Sequence, residues 1–157
     1  MVRIGLALGA VALLLSAGIE DARTRLIANR KSAALVLLAP FWWWANGATI
    51  WPGVAMQLGL AVTTFAVFAA AFHIGAMGGG DVKLIAALSL WLPPMLLMSM
   101  LVVMSLAGGA VTAAMLVERW CRRNPDAAPG PVEVPYGVAI AIAGILTLRE
   151  PILNQFG

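Results

Sequence analysis

Two aspartates in otherwise apolar surroundings are the residues of this chain best suited to chemistry. Asp21 directly follows the first long apolar run, and Asp81 stands between the glycines Gly78, Gly79 and Gly80 and a short apolar run. Two carboxyls held close together do not both ionise readily, so one keeps its proton while the other draws a proton from a shared water. The protonated partner polarises the scissile carbonyl and later gives a proton to the leaving amine, so the peptide bond is hydrolysed without a covalent intermediate. Each residue alone also has an ordinary reading: Asp21 as a solvated charge beside a membrane, Asp81 as the N-cap of the next helix. Rival chemistries have little to work with. The single cysteine, Cys121, and the single histidine, His73, supply neither an internal disulfide nor a Cys-rich metal site, so no metal and no cofactor are expected.

The elements that must position these two residues follow from composition. Of 157 residues, 62% are hydrophobic and 11% charged, whereas a soluble domain carries about 25% charged residues. Ten Lys+Arg and seven Asp+Glu cannot clothe a protein of this length in polar surface, and the mean hydropathy of +0.94 assigns the rest of the exterior to lipid. The net charge of +3 falls in short clusters between apolar runs, the pattern of membrane topology signals and not of a nucleic-acid partner.

Apolar runs extend from Ile4 to Ile19, Ala33 to Ile50, Val54 to Ile74, Val82 to Leu92, Met95 to Val117 and Tyr136 to Leu153. The expected architecture is therefore all-α: a polytopic membrane protein, a single domain over residues 1–157, with about six transmembrane helices. Five runs approach the ~20 residues needed to cross a hydrocarbon core. The fourth is short, rising only ~16 Å. Pro93-Pro94 closes it, since prolines remove backbone donors and disfavour helix in the preceding residue.

Charge distribution supports that break. With six crossings and the N-terminus outside, Arg23, Arg25, Arg30, Lys31, Lys83, Arg119, Arg122 and Arg123 fall inside, and only Arg3 and Arg149 outside. The excess of positive charge after the first run also favours a retained helix over a cleaved signal peptide. Trp42, Trp43, Trp44, Trp51 and Trp91 lie toward the outer helix ends and Trp120 just past an inner one, as interface anchors do. Residues 118–135, rich in charge and proline, are expected to form a cytoplasmic loop.

On this topology both aspartates reach the cytoplasmic side, and the short fourth helix holds Asp81 within the inner half of the membrane. A carboxylate there is costly and signals function. The glycines before it allow irregular backbone to approach a substrate, tolerated at that depth only beside protein or a water-filled cavity.

The motifs resemble those of the prepilin peptidases (type IV leader peptidases), members of the GxGD aspartyl proteases. That family carries one Asp followed six residues later by I-P-N, and a second Asp in G-x-G-D-x-K. This chain has D-A-R-T-R-L-I-A-N from Asp21 to Asn29, G-G-G-D-V-K from Gly78 to Lys83, and V-P-Y-G from Val134 to Gly137. The last segment resembles the opening of the final helix in small members of the Flp/tight-adherence pilus type. The resemblance spans most of the chain. It implies a catalytic pair, Asp21 and Asp81, supported by Asn29, Gly78, Gly80, Lys83, Pro135, Tyr136 and Gly137. It also implies prepilin and pseudopilin substrates at the cytoplasmic face of a bacterial inner membrane. Ala28 replaces the proline of I-P-N, which points to a less rigid turn after Asp21. Larger family members have a cytoplasmic insertion with two Cys pairs and an N-methyltransferase activity; with neither room for it nor the cysteines, this chain is expected to be a peptidase only.

The supporting residues have structural readings too. Lys83 could stabilise the Asp81 charge or snorkel to the interface; Asn29 could bind substrate or end a turn; Tyr136 reads as an interface anchor. Gly5 and Gly9 have the spacing of a helix-packing motif. Two other functions fit the composition: a non-enzymatic scaffold or transporter subunit using the glycine break to bind a partner or ion, and a related protease with different membrane substrates. The transporter reading expects paired breaks in two halves, and the sequence has one. Nothing in it bears on oligomeric state.

Overall fold

A computed structural model describes residues 1–121 and 136–153. Among them lie six helices and no strand: α1 (Val2–Thr24), α2 (Asn29–Ala45), α3 (Ala55–His73, entered through a turn at Ile50–Val54), α4 (Gly79–Ser89), α5 (Pro94–Cys121) and α6 (Tyr136–Leu153). The all-α bundle with a short fourth helix is as expected. The break at Pro93-Pro94 falls where the prolines place it, with Pro94 as the first residue of α5, a position that needs no backbone donor.

Three differences matter. Helix α1 does not stop at Ile19 but runs through Asp21 to Thr24. Arg25 closes it in the left-handed conformation (φ 57°), its N–H bonded to the Asp21 carbonyl at 2.9 Å. Helix α2 begins at Asn29 and ends at Ala45, four residues earlier at its start and five at its end than the apolar run. Its first turn is polar (Asn29, Arg30, Lys31), and Gly47 (φ 67°) turns the chain beyond its end. Finally, among the described residues three stretches are long and apolar enough to cross a membrane, Val2–Thr24, Ile50–His73 and Pro94–Glu118, while Tyr136–Arg149 is a shorter apolar helix and α2 has 17 residues.

Helix α6 packs between α1 and α5, α1 also packs on α2, and α4 is enclosed by α2, α3 and α6. Lipid is as apolar as leucine, so helices in it associate through close packing of small residues. The buried stripe of α1 is Ala7, Ala10, Leu14, Ala17, Gly18 and Asp21. A Cβ on Gly18 would come within 2.9 Å of the Ala141 Cβ on α6, and one on Gly144 within 3.0 Å of Leu14 and 3.2 Å of Leu88. Three helices thus meet at glycine-width distances. Gly5 and Gly9, by contrast, face open space and do not form the packing motif their spacing suggested.

Apart from Asp81, Lys83 and Ser89, helix α4 carries no polar side chain, and it is buried on nearly every side, as such a helix must be. Its C-terminal carbonyls would be orphaned in an apolar interior. Side chains satisfy them: the Trp43 indole donates to Leu90 O (2.7 Å), the Trp42 indole to Trp91 O (3.2 Å), and Gln57 Nε2 to both Ser89 O (2.5 Å) and Leu92 O (2.6 Å). Trp91 in turn donates to Leu35 O at 3.0 Å and stacks on Trp42 with ring centroids 5.3 Å apart. Trp42 and Trp91 are therefore buried structural residues rather than interface anchors. Trp44 and Trp51 stay exposed, and so does Trp120.

Candidate active site

Asp21 lies one heptad beyond Leu14 and two beyond Ala7, so it continues the buried stripe of α1 and points into the bundle at 5% exposure. Asp81 lies in the first turn of α4 at 8% exposure. Gly78, not Asp81, is the N-cap of that helix, so the simple capping reading of Asp81 fails. The carboxyl instead reaches back toward the Gly78 N–H, as an acidic third residue does in a capping box. Gly78 is small for a reason: a Cβ there would lie 3.0 Å from Asp81 Oδ2.

The two carboxyls lie within each other's electrostatic field. The third wall is the start of α6. The backbone N–H groups of Gly137 and Val138 bear on the Asp21 carboxyl, adding the positive end of that helix's dipole. Even so, Asp21 Oδ2 is buried and has no hydrogen bond of ordinary geometry among the described residues. A Cβ on Gly137 would sit 2.8 Å from both Cγ and Oδ2 of Asp21 and 2.7 Å from Ile27 Cδ1. Only glycine fits there.

Ile27, which sequence reasoning missed, lies over two of these walls. Its side chain abuts Gly137 on α6, and a Cβ on Gly80 of α4 would come within 3.1 Å of its Cβ. Lys83 and Asn29 occupy each other: Lys83 Nζ donates to Asn29 Oδ1 at 2.9 Å, tying the first turn of α2 to α4. Neither alternative foreseen for these two residues describes that cross-link. Tyr136 packs on α5, its ring 3.3 Å from where a Gly108 Cβ would be. Pro135 lies outside the described residues. Ala28, which stands where the I-P-N motif has proline, adopts φ −64° and ψ 127°, a φ within the range a proline ring imposes, and its N–H donates to Glu20 Oε2 at 3.1 Å.

A helical membrane bundle that gathers two buried carboxyls, a glycine-lined approach and a helix N-terminus at one end has the parts of a water-activating hydrolase. A sequence profile of the type IV leader peptidase family matches residues 8–113, about two thirds of the chain, and the chain belongs to that family. Its general activity is thereby that of a leader peptidase, and its general substrates are prepilin-like proteins. The match contains both aspartates and stops short of α6, so Gly137 lies beyond it. No curated protein and no solved structure matches the chain.

Proposed function

We propose that this protein removes the leader of Flp-type prepilins and pseudopilins at the cytoplasmic face of a bacterial inner membrane, using Asp21 and Asp81 to activate one water. The observation that supports this reading is the proximity of two buried acidic side chains sixty positions apart in the chain, Asp21 against the N-terminus of α6 and Asp81 in the first turn of α4 within its electrostatic field. One carboxyl of the pair is ionised and takes a proton from water as the oxygen attacks the scissile carbonyl. The other is protonated, hydrogen-bonds the carbonyl oxygen, and the pair then delivers a proton to the departing amine. The substrate's hydrophobic helix reaches the site laterally through lipid, which leaves its basic leader on the cytoplasmic side. The chain acts as a peptidase only, and methylation of the new N-terminus falls to another enzyme.

The test is cleavage of purified prepilin in detergent by wild type, Asp21→Asn and Asp81→Asn. Each substitution keeps the side-chain volume and removes the acid–base function. Both variants are expected to lose cleavage by at least about a thousandfold, in keeping with the loss of a residue that acts as part of a unit. Undiminished cleavage by either would reject the assignment. Sequencing the product N-terminus separates prepilin processing from cleavage of other membrane substrates.

A further inference from the structure

The four residues between α1 and α2 set where Asp21 and Ile27 lie relative to one another, and one acidic side chain holds them. Glu20 Oε2 accepts the Ala28 N–H at 3.1 Å and pairs with Lys31 Nζ at 2.8 Å. Lys31 Nζ also donates to Ser16 O at 2.6 Å, and the Lys31 N–H bonds the Ala28 carbonyl at 3.0 Å. Lys31 is only 8% exposed, and a buried ammonium persists only where it is paired and hydrogen-bonded. It is thus a fastening between α1 and α2 in addition to a cytoplasmic charge. Consecutive residues of a helix point ~100° apart, so Glu20 faces α2 while Asp21 faces α6.

We propose that Glu20, clamped by Lys31, is a positioning residue for Asp21: it bonds the Ala28 N–H and so locks the turn that seats Ile27 against Gly80 and Gly137. The proposal rests on Asp21 being catalytic. Glu20 touches no reacting atom. It acts by holding Ala28 at φ −64°, a value that a proline ring would enforce covalently. A proline at position 28 would remove the N–H that Glu20 accepts, making the acceptor redundant.

That redundancy is the test. The full chain is purified in detergent as wild type, as the neutral pair Glu20→Met with Lys31→Met, as Ala28→Pro, and as the three substitutions combined. Removing both charges together avoids leaving one buried and unpaired. The neutral pair is expected to lower kcat for prepilin about tenfold, as a small displacement of a catalytic group does, with KM changed less than about twofold. In the Ala28→Pro background the same pair is expected to cost less than about twofold, because the turn no longer depends on Glu20. An equal loss in both backgrounds, or none in the first, overturns the proposal. Should the neutral pair not be recovered folded on gel filtration, Glu20→Leu with Lys31→Leu, which likewise removes the acceptor and both charges, replaces it in the same cycle and is read the same way. Asp21→Asn runs alongside: if that variant cleaves normally, the catalytic reading itself fails, whatever the cycle shows.

Discussion

Replacing Gly137 with alanine tests the geometry of the site without touching either carboxyl. The added methyl would lie 2.8 Å from Asp21 Cγ and Oδ2 and 2.7 Å from Ile27 Cδ1. Non-bonded carbons settle at about 3.5–4.0 Å, so each neighbour must retreat by roughly 0.7 Å or more. Ile27 can yield by turning the far end of its side chain. Asp21 cannot, because its carboxyl is one bond from Cβ on a helix packed tightly against α6. The overpacking is expected to cost about 1–3 kcal/mol of stability. The larger effect falls on catalysis, where a displacement approaching 1 Å costs on the order of a hundredfold. The assay is the kcat for prepilin cleavage in detergent, with Gly9→Ala as control because nothing lies within 4 Å of a Cβ there. Wild-type kcat in a folded Gly137→Ala protein would refute the claim that Asp21 must sit where the start of α6 holds it.

Other expectations follow from the same contacts. Gln57→Leu strips two donors from the end of α4, and each orphaned buried carbonyl costs about 1–3 kcal/mol; thermal unfolding in detergent should move clearly downward, and an unchanged midpoint would show that those carbonyls find other partners. The buried Ser32 hydroxyl has no partner among the described residues, so Ser32→Ala should be neutral or slightly stabilising in the same measurement. Cys121→Ser and His73→Ala, both at exposed positions, should retain cleavage within about twofold, as expected of surface changes; a large loss in either would point to thiol or imidazole chemistry.

The segments of this protein were legible because a membrane helix announces itself by length and hydropathy, and Pro93-Pro94 by its missing donors. The site was legible in part. Asp21 and Asp81 stand out as acids among apolar residues, and counting crossings brings them to one side. Their surroundings were not readable, since pairing between distant helices leaves no local pattern. Lys31 looks like any cation flanking an apolar run until its bonds to Glu20 and Ser16 are seen. Trp42 and Trp91 have the interface signature, yet serve as donors to buried carbonyls. Seven-residue spacing does not pick the packed face of α1 either, since Leu6, Leu13 and Glu20 repeat it as well as Ala7, Leu14 and Asp21, and only the packing against α6 distinguishes them.

The indole and amide donors that close the end of α4 make its length a ruler. With Leu90, Trp91 and Leu92 gripped at one end, inserting or deleting one residue after Asp81 would swing that carboxyl by ~100° about the helix axis and shift it by ~1.5 Å. The eleven residues of α4 therefore have no latitude in register. Selection acting on this enzyme should therefore police the count of residues between Asp81 and Trp91 more strictly than their individual identities.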